Sequence, residues 1–156
     1  MEFWRAGYHV IRISPADAAA IEAAGWDGQM AMDSQSLASD PYVVLSALAC
    51  SSDRLLLGTS VSNACTRHPA VTACAMASLQ ALSNGRAVLG IGRGDSSLAY
   101  LGMGPQPLAA FERSLCALQD YLSGKEVALD GAHSRTGIER PASRPTVRSP
   151  ASTGLR

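Results

Sequence analysis

The stretch Leu55 to Tyr100, LLLGTSVSNACTRHPAVTACAMASLQALSNGRAVLGIGRGDSSLAY, constrains the fold more than any other part of this chain. An apolar segment passes through a polar turn into an alanine-rich segment opened by Pro69, then into a second apolar segment and a second polar turn. Leu55 to Val61 is an apolar run interrupted by Gly and Thr, as expected of a strand covered on both faces. Pro69 suits the first turn of a helix, and Asn84-Gly85 suits its end. Strand, crossover helix and strand predict a parallel sheet. In such folds the loops leaving the carboxyl ends of the strands build the ligand site.

The rhythm continues on both sides. A first strand is expected within Phe3 to Ile13, a helix over Ala16 to Ala24 behind the Ser14-Pro15 cap, and a second strand over Trp26 to Met32. Asp40-Pro41 opens a second helix with a broad apolar face, and Ala87 to Gly92 reads as a fourth strand. Leu108 to Leu122 reads as a fourth helix, with Leu108, Phe111, Leu115, Leu118 and Leu122 at helical spacing. Residues 1–130 thus hold about four βα units. Beyond Asp130, Arg, Ser, Pro and Thr dominate and no apolar period survives, so 131–156 is expected to be a disordered tail, either a basic arm or a frame-shifted read.

Charge divides at the same place. The chain balances 13 Lys+Arg against 13 Asp+Glu, but residues 1–130 carry eight basic and twelve acidic side chains. A mildly acidic body argues against a nucleic-acid face. No apolar run approaches the ~20 residues a membrane helix needs, and Met1 to Arg5 lacks the basic-then-apolar order of a secretory signal. Cys50, Cys65, Cys74 and Cys116 form no C-x-x-C pair. The first, third and fourth lie in helical patterns and are expected to be buried thiols of a cytoplasmic protein, with no metal site; Cys65 lies in a loop.

Candidate chemistry gathers after the strands. Gly90-Ile91-Gly92-Arg93-Gly94-Asp95-Ser96-Ser97 fails the dinucleotide fingerprint because Asp95 takes the third glycine position, and no P-loop lysine follows. Three glycines beside Arg, Asp and two Ser suggest a backbone passing close to a flat or bulky ligand. Asp33, ending the second strand, is either a cap or an acceptor for a ligand. Ser60, Ser62 and Asn63 end the third strand, where they either satisfy a turn or face a ligand. For His68 a helix cap or surface position is expected ahead of catalysis. Arg67 is read as solvated, with anion holding at the helix N-terminus as the other role.

Taken together, DGQMAMDSQSL, LGTSVSNACTRHPAVTA and GRAVLGIGRGDSSLAYLG resemble the luciferase-like flavin monooxygenase and coenzyme F420-dependent oxidoreductase family, nearest its F420-dependent branch, over residues 1–130. The resemblance implies an α/β fold that is the N-terminal half of a TIM (β/α)8 barrel. It implies coenzyme F420, alternatively FMN, at the carboxyl ends of the strands, and a bulge with a non-prolyl cis peptide at Ser60-Val61. Asp33 and Asn63 would approach the cofactor ring, with Ser60 and Val61 behind it. Gly92, Arg93, Gly94, Asp95 and Ser96 would line its side-chain or phosphate path. The implied chemistry is hydride transfer to or from a small organic substrate, with Asp33 the first candidate for a catalytic role and His68 the second. As a truncated member with four of eight units, the chain would expose two sheet edges, so a non-catalytic half-barrel that binds ligand weakly or forms a homodimer is the alternative reading.

Overall fold

The computed structural model describes residues 1–7, 13–129, 132–134 and 146–148. The elements run β1 (Trp4–Gly7), α1 (Pro15–Ala23), β2 (Gly28–Ala31), α2 (Pro41–Ala49), β3 (Leu56–Thr59), β4 (Ser62–Asn63), α3 (Pro69–Leu82), β5 (Ala87–Gly92), α4 (Ser96–Ala99) and α5 (Leu108–Leu122). Three short strands follow: β6 (Val127–Leu129), β7 (Ala132–Ser134) and β8 (Thr146–Arg148). The expected strands are therefore β1, β2, β3 and β5, and the expected helices α1, α2, α3 and α5. Residues 8–12 of the window given for the first strand lie outside the described residues.

Helix starts follow local chemistry. The Asp17 carboxylate of α1 accepts from the Ser14 amide at 2.6 Å and its hydroxyl at 3.0 Å. Asp40 accepts from the Tyr42 and Val43 amides at 2.9 and 3.3 Å, with Pro41 at the first helical position of α2. His68 Nδ1 accepts from the Ala70 amide at 3.1 Å and starts α3. Each contact satisfies an amide that the helix itself leaves unpaired. Asn84 (φ 52°) and Gly85 (φ 91°) close α3 in the left-handed region.

β1, β2, β3 and β5 pair in parallel, each next to the following strand of the βα series. Successive units winding in one direction, with no reversal of order, match a barrel rather than a doubly wound sheet. The core lies between sheet and helices: Leu57 and Leu89 from the strands meet Leu45, Leu48, Met76 and Leu79 from α2 and α3, all at most 1% exposed. Each such side chain contributes about 1.5–3 kcal/mol by burial. At the opposite end of the sheet from the site described below, Arg86 ties α2 and α3 to the strands. Its guanidinium donates to the carbonyls of Ser52 and Leu55 at 2.6 Å and of Ser83 at 2.7 Å.

Two expectations need correction. Within 131–156, β7 pairs antiparallel with β6 and β8 pairs in parallel with β5, Val88 opposite Thr146 through Gly90 opposite Arg148. Those six residues join backbone ladders, which ask nothing of side-chain hydrophobicity; the rest of the expected tail lies outside the described residues. Second, Cys50, Cys74 and Cys116 are exposed, while Cys65 is half-buried. Alanine and leucine neighbours did not fix which face each thiol takes: α3 buries Ala73 and Met76 and turns Cys74 out, and α5 buries Ala117 and turns Cys116 out. α5 forms over the expected range, with Phe111, Leu115 and Leu122 packed half-buried against the core. Leu118 is buried, but Leu108 is exposed, and Phe111 and Leu115 border a cavity.

Candidate functional site

Beyond the carboxyl ends of β2, β3 and β5 lies a cavity of about 700 Å³. The sheet register explains what lines it. Gly58 pairs with Val88, but Ser62 pairs with Ile91, so four steps along one strand match three along the other. One residue is therefore inserted as a bulge between β3 and β4. The Ser60-Val61 peptide within it is cis, at the position given by the resemblance. The Thr59 hydroxyl spans the gap that the bulge opens in the ladder, donating to the Gly90 carbonyl at 2.7 Å and accepting from the Gly90 amide at 3.0 Å. A Cβ built on Gly90 would stand 2.2 Å from the Thr59 carbonyl oxygen, so this glycine serves the bulge directly. Gly92 faces Val61, its Cβ position 3.2 Å from Val61 Cγ2.

The cavity gathers Asp33 from the loop after β2, Ser60 and Val61 from the bulge and Asn63 from β4. From the loop after β5 it takes Gly92, Arg93, Gly94, Asp95 and Ser96. His68 is not among the lining residues: its ring caps α3 and meets the Tyr121 ring edge-on, centroids 6.4 Å apart. The apolar wall comes from Met32, Val61, Leu108, Phe111 and Leu115.

Asn63, 1% exposed, is the most instructive polar group. Its Oδ1 accepts from the Cys65 amide at 3.0 Å, the Thr66 amide at 2.9 Å and the Thr66 hydroxyl at 3.1 Å. Backbone amides only donate, so that atom must be the oxygen and the other must be the NH2 group. Nδ2 is buried with no hydrogen-bond partner among the described residues. A buried donor without an acceptor is costly, by about 1–3 kcal/mol. Asn63 thus lines the cavity with its amide fixed in orientation and its donor left without an acceptor among the described residues.

Asp33 is 3% exposed. Its carboxylate accepts from the Ser62 hydroxyl at 2.5 Å and from Gln35 Nε2 at 2.8 Å, and Arg67 Nε stands 3.8 Å away. Burial pushes the Asp33 carboxyl up from its ordinary value, against the lowering effect of the Ser62 hydrogen bond and the Arg67 charge. The Tyr42 hydroxyl donates to Ser62 Oγ at 3.4 Å, so tyrosine, serine and aspartate form one chain of donors.

Arg93 is held by its own neighbour rather than by solvent. Its Nε donates to the Gln106 carbonyl at 2.6 Å, and the Gln106 amide donates back to the Arg93 carbonyl at 2.9 Å. This bridge brings the start of α5 to the cavity. Sequence reasoning did not name Tyr42, Thr59 or Gln106, and read Leu108, Phe111 and Leu115 only as helix positions at apolar spacing. Arg67, read as solvated, is 23% exposed and packs its guanidinium over the Tyr42 ring, 4.7 Å from the centroid. An arginine two residues before a helix-opening proline was the available signal.

The sequence profile of the luciferase-like monooxygenase family matches residues 12–152. The chain belongs to this family. The match runs past Asp130, into the segment set apart in the sequence as foreign. The luciferase-like chain is 39% identical over 95 residues to a 5,10-methylenetetrahydromethanopterin reductase of Methanolobus tindarius, covering 59% of this chain and 29% of the relative. It is 40% identical over 95 residues to an F420-dependent glucose-6-phosphate dehydrogenase of Beutenbergia cavernae, covering 57% and 28%. The chain thus spans less than a third of the length of these curated relatives. Among solved structures, the coenzyme F420-dependent tetrahydromethanopterin reductase from Methanopyrus kandleri superposes with a TM-score of 0.69 at 22% identity, over 85% of this chain and 44% of that one. The oxygenating constituent of 3,6-diketocamphane monooxygenase from Pseudomonas putida, in complex with FMN, superposes at 0.72 and 17% identity, over 96% and 51%. The α/β fold is that of about half of a luciferase-like TIM barrel.

Proposed function

We propose that the luciferase-like chain holds coenzyme F420, with FMN the alternative occupant, in the cavity beyond β2, β4 and β5, for hydride exchange with a small organic molecule. The Asn63 side chain carries this reading: a buried amide donor, locked in orientation by three donors on its oxygen, lacks an acceptor among the described residues. The edge of a flat heterocycle rich in carbonyl oxygens and ring nitrogens supplies such acceptors. Gly92 keeps the opposing backbone free of side chain, and Val61 offers an exposed apolar surface for the face of a ring. The F420 dependence named for the Beutenbergia cavernae relative favours the deazaflavin.

When bound, the cofactor supplies the hydride chemistry, and the protein supplies position, dryness and charge. Leu108, Phe111 and Leu115 give one side of the cavity an apolar wall. Asp33, whose carboxyl is raised from its ordinary value by burial against the lowering effect of Ser62 and Arg67, borders the cavity and is the candidate catalytic residue. His68 remains with the cap of α3. The Arg93 guanidinium and the Ser96 hydroxyl at the rim suit an anionic side chain on the cofactor.

Fluorescence titration tests this directly. Purified protein is expected to quench F420 saturably in the micromolar range and FMN more weakly. Oxidation of the reduced cofactor by a carbonyl substrate would add turnover to binding; binding without turnover would make the chain a ligand-binding module. Absence of saturable change with both cofactors would refute the proposal.

A further inference from the structure

Arg67 stands between two carboxylates. It is ion-paired with Asp40 and keeps Nε 3.8 Å from Asp33 Oδ2, too far for a hydrogen bond. That Nε is buried and has no hydrogen-bond partner among the described residues. Its guanidinium lies on the Tyr42 ring, and the Tyr42 hydroxyl donates to Ser62, which donates to Asp33. Asp40 is in turn fixed as the cap of α2. One cation is thus braced by a helix cap and an aromatic face, with an Nε that lacks a partner among the described residues 3.8 Å from the buried carboxyl.

We propose that Arg67 is a positioning residue that acts through Asp33, a counter-ion parked on Asp40 whose free Nε serves the Asp33 carboxylate whenever that group gives up its proton. The charged and titratable groups facing Asp33 are Arg67, Asp40 and, through Ser62, Tyr42; Gln35 is the remaining polar neighbour. The two carboxylates compete for one guanidinium. Arg67 therefore offsets, by its charge, part of the upward push that burial gives the Asp33 carboxyl. Its importance for hydride exchange rests on the function proposed above, but its effect on Asp33 does not.

The test is the carboxyl carbon titration of Asp33 by NMR in the ligand-free protein, assigned with Asp33→Asn. Arg67→Met is expected to move the Asp33 midpoint upward by about one pH unit or more, with Arg67→Lys restoring part of the difference. Should Arg67→Met not fold, Asp40→Asn supplies the reading. It keeps a capping side chain on α2 and releases Arg67, and it is expected to move the midpoint downward. An Asp33 midpoint unchanged in Arg67→Met, or unchanged or raised in Asp40→Asn, overturns the proposal. F420 titration of the same samples separates the two ideas: F420 binding with a flat Asp33 response sinks only the Arg67 role, and a shifted Asp33 without F420 binding sinks only the cofactor reading.

Discussion

Asn63→Asp is expected to weaken F420 binding about a hundredfold, close to 3 kcal/mol, while leaving the fold in place. The substitution is nearly isosteric. One carboxylate oxygen still accepts from the Cys65 and Thr66 amides and from the Thr66 hydroxyl, so the turn after β4 keeps its bonds. The change falls on the other atom, where an acceptor replaces the buried Nδ2 donor. A ligand acceptor brought against it then meets like polarity, and the penalty is that of an unpaired group plus repulsion. Titration of the variant by cofactor fluorescence, with circular dichroism as the check on folding, gives the answer. Unchanged affinity in a folded variant would mean that the ligand does not use this amide.

Gly90→Ala is expected to destabilise the protein by about 3 kcal/mol, lowering the melting temperature by roughly 10 °C. The added Cβ would lie 2.2 Å from the Thr59 carbonyl oxygen and 3.2 Å from Val61 Cγ1. Relief requires β5 to move away from β3. That movement breaks both hydrogen bonds between the Thr59 hydroxyl and Gly90, which bridge the strands where the bulge interrupts the ladder. Gly92→Ala is the matched control. Its Cβ meets only the end of the Val61 side chain at 3.2 Å, which a rotamer change relieves. A thermal scan in which both variants melt with the wild type would show that the bulge is not held in this way.

Much of the scaffold was legible because its boundaries are set locally. Ser14-Pro15, Asp40-Pro41 and His68-Pro69 each join a capping side chain to a proline, and Asn84-Gly85 supplies the left-handed residues that end α3. The clustering of Asp33, Asn63 and Arg93 was legible too, because parallel strands deliver every βα loop to one end of the sheet. What escaped depends on side chains distant in sequence. Tyr42 looks like one more member of an apolar helix face until Ser62, twenty residues on, places an acceptor at its hydroxyl. Gln106 gains meaning only through its exchange of hydrogen bonds with Arg93. The exposed faces of Cys74 and Cys116 depend on a helix rotation of about 100° per residue, which an alanine-rich pattern does not specify.

The account stands on the Asn63 amide meeting the ring of a bound cofactor. Nitrogen-15 NMR of the asparagine side-chain amides during addition of F420 reads that contact. The Asn63 pair, assigned by its loss in Asn63→Asp, is predicted to shift progressively and to saturate at the affinity found by fluorescence. F420 that binds while the Asn63 resonances stay in place would contradict the account.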